Sequence, residues 1–188
     1  MPREARMDVS RLAAALADDP DAAFPDLVRA LQDGVFAGTL RLTGSRADAE
    51  EITQEAFVHA YRALRAYPHD RVRELRVREW VWTIALNLCR NRARTRRRRP
   101  EGSLDREPAL PDPSPGPEHQ ALAAAERERL ARHLARLPWA TRAAVVLRHV
   151  AGLTYAEIAA TLARPPGTVK SDVYRGLQRL RDSLEEEP

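Results

Sequence analysis

The stretch from 152 to 184, GLTYAEIAATLARPPGTVKSDVYRGLQRLRDSL, decides the fold. Thr154 opens the run T-Y-A-E, and Glu157 three residues on completes a capping box, which starts a helix. Ile158 and Leu162 continue an apolar stripe with Leu153 and Tyr155 nearby. The helix is expected to stop before Arg164-Pro165-Pro166-Gly167, because a proline disfavours helical backbone in the residue ahead of it. Thr168 is then expected to cap a second helix. Its apolar stripe is Val169, Val173, Leu177, Leu180 and Leu184. Two helices across a short turn containing glycine form a helix-turn-helix. With that stripe buried, Lys170, Ser171, Tyr174, Arg175 and Gln178 face outward. These residue types can donate to phosphates or base edges, and the first turn of such a helix favours a phosphate. An ordinary helical hairpin would show the same polar face, but it would not need the cap-turn-cap pattern.

Upstream, residues 118–150 predict two more helices. The first carries Leu122, Leu130, Leu134 and Leu137 and is broken by Pro138. The second runs from about Trp139 to Val150 and buries Ala143, Val146, Leu147 and Val150. The whole chain leans the same way. Its 188 residues are 5% aromatic and contain only eight glycines. Ala and Leu are abundant and β-branched residues few, which favours helix over sheet. The single Cys89 excludes an intrachain disulfide and a multi-cysteine metal site. No apolar run reaches the roughly 18 residues of a membrane span, and the acidic start is unlike a signal peptide. A cytoplasmic, all-α protein without membrane insertion is the expectation.

The formal charge of +4 is unevenly distributed. Residues 1–99 carry 19 basic and 14 acidic groups. Residues 100–117, PEGSLDREPALPDPSPGP, hold six prolines and a charge of −3, and they read as an extended acidic linker. Two helical domains follow, 21–99 and 118–185, with residues 1–20 as an N-terminal tail. Just before the linker, residues 90–99, RNRARTRRRR, hold seven arginines. Such a run is either a solvated helix face or a surface for a polyanion, whose phosphates relieve the repulsion.

In the first domain, residues 48–67, DAEEITQEAFVHAYRALRAY, put Ile52, Ala56, Phe57, Ala60, Tyr61 and Leu64 on one helical stripe. Asp48, Glu50, Glu51, Gln54 and Glu55 crowd the first turns, where the helix dipole favours negative charge. In residues 77–99, Trp80, Ile84, Leu88 and Asn91 share one face, so Trp80 leans toward the core. Val81 and Ala85 widen that stripe. Trp82, Asn87, Arg90 and Arg94 fall on other faces. An aromatic beside amides and arginines could stack and clasp single-stranded bases; burial of both tryptophans is the alternative. No nucleophile constellation, HExxH pair or phosphate-cradling glycine loop is present, so neither enzyme activity nor a cofactor or metal is expected.

These residues resemble a known family. Leu137-Pro138, Arg142, Leu147-Arg148, Gly152-Leu153-Thr154-Tyr155, Glu157-Ile158-Ala159 and Gly167-Thr168-Val169-Lys170-Ser171 are similar to region 4 of bacterial sigma-70 factors, the extracytoplasmic-function (ECF) type above all. Residues 48–67 resemble region 2.2, and Trp80, Ile84-Ala85 and Asn87-Leu88 resemble regions 2.3 and 2.4. Two departures stand out: Ala163 where the family usually has glycine, and Asp172 where it often has a basic residue. A left-handed Ala163 would cost about 1 kcal/mol.

The resemblance implies a sigma factor that binds core RNA polymerase at the β′ clamp helices and β flap and directs initiation at promoter DNA. It implies −35 contacts from Thr168, Lys170, Ser171, Tyr174, Arg175 and Gln178. It implies −10 contacts from Trp82, Asn87, Arg90, Asn91 and Arg94, with a flipped base captured near the loop from Tyr67 to Arg76. Asp48, Glu51, Gln54 and Glu55 would dock on β′, with Phe57 packing beneath. An anti-sigma factor is a further implied partner. A regulator of LuxR type, binding an operator without polymerase, shares much of region 4 and is the alternative. It would need a different N-terminal domain.

Overall fold

The computed structural model describes residues 3–98 and 117–186, and all regular structure among them is helical. The expected linker lies outside the described residues except for Pro117. Five helices build the first lobe: α1 (Arg3–Asp18), α2 (Pro20–Thr43), α3 (Arg46–Ala66), the short α4 (His69–Arg73) and α5 (Val77–Arg98). Four build the second: α6 (Pro117–Arg136), α7 (Trp139–His149), α8 (Tyr155–Leu162) and α9 (Pro166–Glu185).

In the first lobe α2, α3 and α5 pack on one another. Their core holds Leu27, Leu31, Val35, Ile52, Ala56, Ala60, Leu64, Val81, Ala85 and Leu86. Each such aliphatic side chain larger than alanine contributes about 1.5–3 kcal/mol relative to exposure. Asp19 caps α2 by accepting from the backbone N–H of Asp21 and Ala22, both at 3.1 Å. The segment expected as a tail is instead α1, which packs on α2 and α4 with Leu12, Ala13, Leu16 and Ala17 buried. Those four form an i, i+1, i+4, i+5 stripe, which is enough to hold one helix face on a core.

The face of α5 also differs from the sequence expectation. Its centre of burial is Val81, Trp82, Ala85, Leu86 and Cys89, whereas Trp80, Ile84 and Leu88 are half-buried. Both phases are apolar at helical spacing, so periodicity alone does not choose between them. Gly38 on α2 decides. A Cβ there would lie 2.3 Å from the Trp82 ring, so the indole of Trp82 rests against the bare backbone of α2.

In the second lobe the capping box at Thr154 and Glu157 forms as the sequence suggests, with the Thr154 hydroxyl accepting from the Glu157 N–H at 3.3 Å. The helix ends at Ala163, which is left-handed at φ 51° and ψ 49°. The next helix begins at Pro166, with Pro165 in the cap position, three residues earlier than a Thr168 cap would place it. Proline suits the first helical position, where its missing N–H is no loss. The buried face of α9 is Val169, Asp172, Val173, Gly176 and Leu180, while Leu177, expected inside, is 40% exposed. The helix has rolled toward Gly176, because α7 approaches it there: a Cβ would lie 2.6 Å from Val145 Cγ2 and 2.9 Å from Thr141 Cγ2. The lobes meet where α5 packs on α8 and where α2 packs on α6 and α7.

Two stability changes are expected. Ala163→Gly removes the left-handed strain and should raise the unfolding free energy by about 1 kcal/mol in urea titration. Gly176→Ala forces α7 and α9 apart and should lower it by about 1–3 kcal/mol in the same titration.

Candidate nucleic-acid and polymerase interfaces

Three surfaces carry the residues singled out from the sequence. The first is the outer face of α9. Lys170, Ser171, Tyr174, Arg175 and Gln178 are all exposed, Tyr174 to 62%, and Thr168 is half-buried beside them. The face is partly ordered by its own contacts. The Ser171 hydroxyl donates to the Gly167 carbonyl at 3.0 Å, and Gln178 Nε2 donates to Tyr174 Oη at 3.0 Å. Arg175 donates to Asp172 at 3.0 Å. This face therefore brings together the six residues expected to meet the −35 element.

The second surface is the outer face of α5. Asn87, Arg90, Asn91 and Arg94 are exposed, and their spacing of 3, 1 and 3 puts them on one stripe. Trp82 is not among them. At 2% exposure it lies inside the lobe, so stacking on a base is closed to it in this structure. The arginine run divides by phase. Arg90 and Arg94 face outward, whereas Arg92 and Arg96 turn toward α3. The remaining arginines of the run, Arg97, Arg98 and Arg99, lie outside the residues whose side chains are described.

The tryptophan that stands next to the 67–76 loop is Trp80. Its ring lies 6.1 Å from that of Tyr67, and the Arg71 guanidinium sits 3.8 Å over the Tyr67 ring. The sequence does not by itself bring these three side chains together. Tyr67 and Arg71 lie in a segment without helical periodicity, and Trp80 was assigned to the core. The available signal was aromatic and basic residues on both sides of Pro68.

The third surface is α3. Glu51 and Gln54 are exposed and Glu55 is half-buried, with His59 Nε2 3.7 Å from its carboxylate. Phe57 packs beneath, 7% exposed, and edge-on to Phe24 with ring centroids 6.5 Å apart. Asp48 differs from its expectation as a surface acid. It is 7% exposed, and Arg96 reaches its Oδ2 at 2.6 Å while Arg92 lies 3.8 Å from Oδ1. Arg92 also pairs with Glu51. The carboxylate of Asp48 is thus already met by the chain's own α5. The reason is its position at the start of α3, opposite the basic end of α5, where burial without a cation would be costly. Between α2 and α3 runs an open groove of about 760 Å³, lined by Phe24, Phe36, Gln54, Phe57, Val58 and Tyr61 among others.

Among the ionisable groups shifted from their ordinary values, Glu79 is half-buried and Cys89 buried. Burial raises the Glu79 carboxyl, and the nearby Glu157 charge adds to this where α5 faces α8. Burial pushes the Cys89 thiol up to about 12, against a pull downward from Arg142. Such a thiol is inert. Among the described residues no cluster of His, Cys, Asp and Glu could hold a metal, and no helix is long and apolar enough to cross a membrane.

Comparison with known proteins joins these surfaces to a family. Residues 27–99 match Sigma-70 region 2, and residues 127–180 match Sigma-70, region 4. The ECF RNA polymerase sigma factor SigE of Mycolicibacterium smegmatis is 37% identical over 163 residues, covering 85% of this chain and 60% of that protein. The ECF RNA polymerase sigma-E factor of Escherichia coli is 33% identical over 147 residues, 73% of this chain and 74% of that protein. SigW of Bacillus subtilis, also an ECF sigma factor, is 29% identical over 172 residues, 86% of this chain and 89% of that protein. In structure, CnrH bound to the cytosolic domain of CnrY superposes with a TM-score of 0.73 at 24% identity, over 96% of this chain and 99% of CnrH, and so shares the fold. The chain belongs to the sigma-70 family and is a sigma factor of the ECF type, a protein of promoter-specific transcription. The LuxR-type alternative is not favoured, since region 2 precedes region 4 here.

The buried thiol gives a direct check on the first lobe. Cys89 should resist iodoacetamide at pH 8 in the folded chain and react within minutes in denaturant, as read by mass. Because its folded value lies above the ordinary 9.0, the stabilisation from the neutral thiol is complete below pH 9. It is lost as pH rises from 9 to about 12, since the unfolded chain ionises first.

Proposed function

We propose that this chain binds core RNA polymerase and directs it to a promoter, with α9 reading the −35 duplex and the outer stripe of α5 holding the −10 strand. One observation carries the reading: a single chain exposes two separate faces of amides, hydroxyls and cations, one in each family-matched region. On α9 the donors are Lys170, Ser171, Arg175 and Gln178, which suit base edges and phosphates. On α5, Asn87, Arg90, Asn91 and Arg94 suit an unpaired strand, and the half-buried Tyr67 and Trp80 offer a stacking platform beside it. The α3 face of Glu51, Gln54 and Glu55 is the proposed contact with the β′ clamp helices, and the β flap is the proposed contact of the second lobe.

An anti-sigma factor is proposed as the inhibitory partner. A relative of the same fold, the sigma factor RpoE of Bartonella quintana, was solved in complex with the anti-sigma factor NepR. Its likeness to this chain is one of fold, with a TM-score of 0.64 at 20% identity over 88% of this chain and 98% of that one.

Run-off transcription tests the proposal. Purified chain added to core polymerase should give discrete transcripts from a promoter library, and core alone should not. Arg90→Ala with Arg94→Ala should reduce open-complex formation at least tenfold while leaving core binding intact. Glu51→Arg with Gln54→Ala should do the reverse, weakening pull-down by core. Operator binding without polymerase, and no transcript with it, would return the chain to the regulator class.

A further inference from the structure

The helix proposed to read DNA carries an acid that this role leaves unused. Asp172 lies early in α9 and is 6% exposed, flanked by the buried Val169 and Val173. Its Oδ1 accepts from Arg175 Nη2 at 3.0 Å, three residues along the same helix. Its Oδ2 accepts from Nη1 of Arg164, the residue that follows the left-handed Ala163 in the turn. One buried carboxylate therefore holds two guanidiniums, one from the turn and one from the helix. Their side chains remain 58% and 38% exposed for Arg175 and Arg164.

A guanidinium has five N–H donors in a fixed fork, so pairing at one nitrogen leaves donors to spare. An arginine held in place by a carboxylate also loses less conformational freedom when it binds. The neighbouring pair is ordered in the same way, with Gln178 Nε2 donating to Tyr174 Oη. The charge of the acid is more than offset by its two guanidiniums, so the three-residue cluster carries a net positive charge toward a phosphate.

We propose that Asp172 is a positioning residue for sequence readout. It fixes the Arg175 guanidinium so that the remaining donors meet a base edge in the major groove, and it fixes Arg164 for an adjoining phosphate. A guanine edge, with two acceptors, is the base chemistry that fits an arginine fork. The inference rests on the assignment of α9 as the −35 reader.

Selection from a pool of randomised duplex DNA by the full chain tests it, with the weight of each base at each position as the readout. The wild type should enrich a motif. Arg175→Ala should lose preference at one base pair by about tenfold. Asp172→Asn should lose preference at that same base pair, and should add nothing further when Arg175 is already alanine. Arg164→Ala should weaken all sequences alike. Asp172→Glu keeps the charge while moving the carboxylate by one methylene, and it should blur the same base pair in a chain that still folds by circular dichroism. If the wild type enriches a motif and both Asp172 variants return its weights unchanged, the positioning role is overturned while the −35 assignment stands. If the wild type enriches nothing, with or without core polymerase, the two fall together.

Discussion

The contact between the Trp82 indole and the bare backbone of Gly38 sets the roll of α5, and the roll of α5 sets nearly everything the first lobe can present. With that ring inside, Val81, Ala85, Leu86 and Cys89 follow it into the core, and the stripe of Asn87, Arg90, Asn91 and Arg94 is left on the surface. The same roll carries Arg92 and Arg96 against α3 and leaves Trp80 beside Tyr67. A helix with apolar residues in two phases has two ways to lie on a core. A glycine on the neighbour, offering no Cβ, makes one of them much the better packed.

The two lobes solve a shared electrostatic problem with the same device. Each buries one aspartate near a helix start and meets it with two arginines: Asp48 with Arg92 and Arg96, and Asp172 with Arg164 and Arg175. A buried carboxylate with a single exposed partner would be poorly compensated; two guanidiniums supply charge to both acids, and directed hydrogen bonds to Asp172. In the first lobe the device ties α3 to α5, the two helices proposed to face different partners. In the second it ties the turn to α9, the helix proposed to read DNA. Removing Asp172 would take away the one acid that Arg164 and Arg175 share, whereas Arg92 would keep Glu51 if Asp48 were removed.

Much of this was legible from residues alone. The capping box at Thr154 and Glu157, the break at Pro138 and the outward face of α9 all follow from local chemistry, and the structure contains them; the left-handed Ala163 was signalled only by the glycine usual in the family it resembles. What sequence could not place was the rotation of a helix about its own axis where two apolar phases compete. Trp82 and Leu177 are both cases of this, and in both a close approach at a glycine decides the matter: Gly38 on the neighbouring helix for Trp82, and Gly176, next to Leu177 itself, where α7 comes in. Asp48 was misjudged for a related reason. An acid in a first turn reads as a surface group, and only the approach of α5 turns it inward. Sequence left residues 1–20 open between a short helix and disorder, because the buried stripe there is built of two leucines and two alanines, too slight a signal without the lobe it leans on.

The composition of the basic residues has a practical side. The chain has 30 arginines and one lysine, and that lysine, Lys170, is exposed at the start of α9. Apart from the backbone amino terminus it bears the chain's only primary amine, while guanidiniums are inert to the usual acylating reagents. An amine-directed label, spectroscopic probe or crosslinker therefore has one side-chain target, on the proposed DNA-reading face, in addition to the amino terminus. Conversely, a cell could neutralise that one ammonium by acetylation without touching any other side-chain amine in the chain.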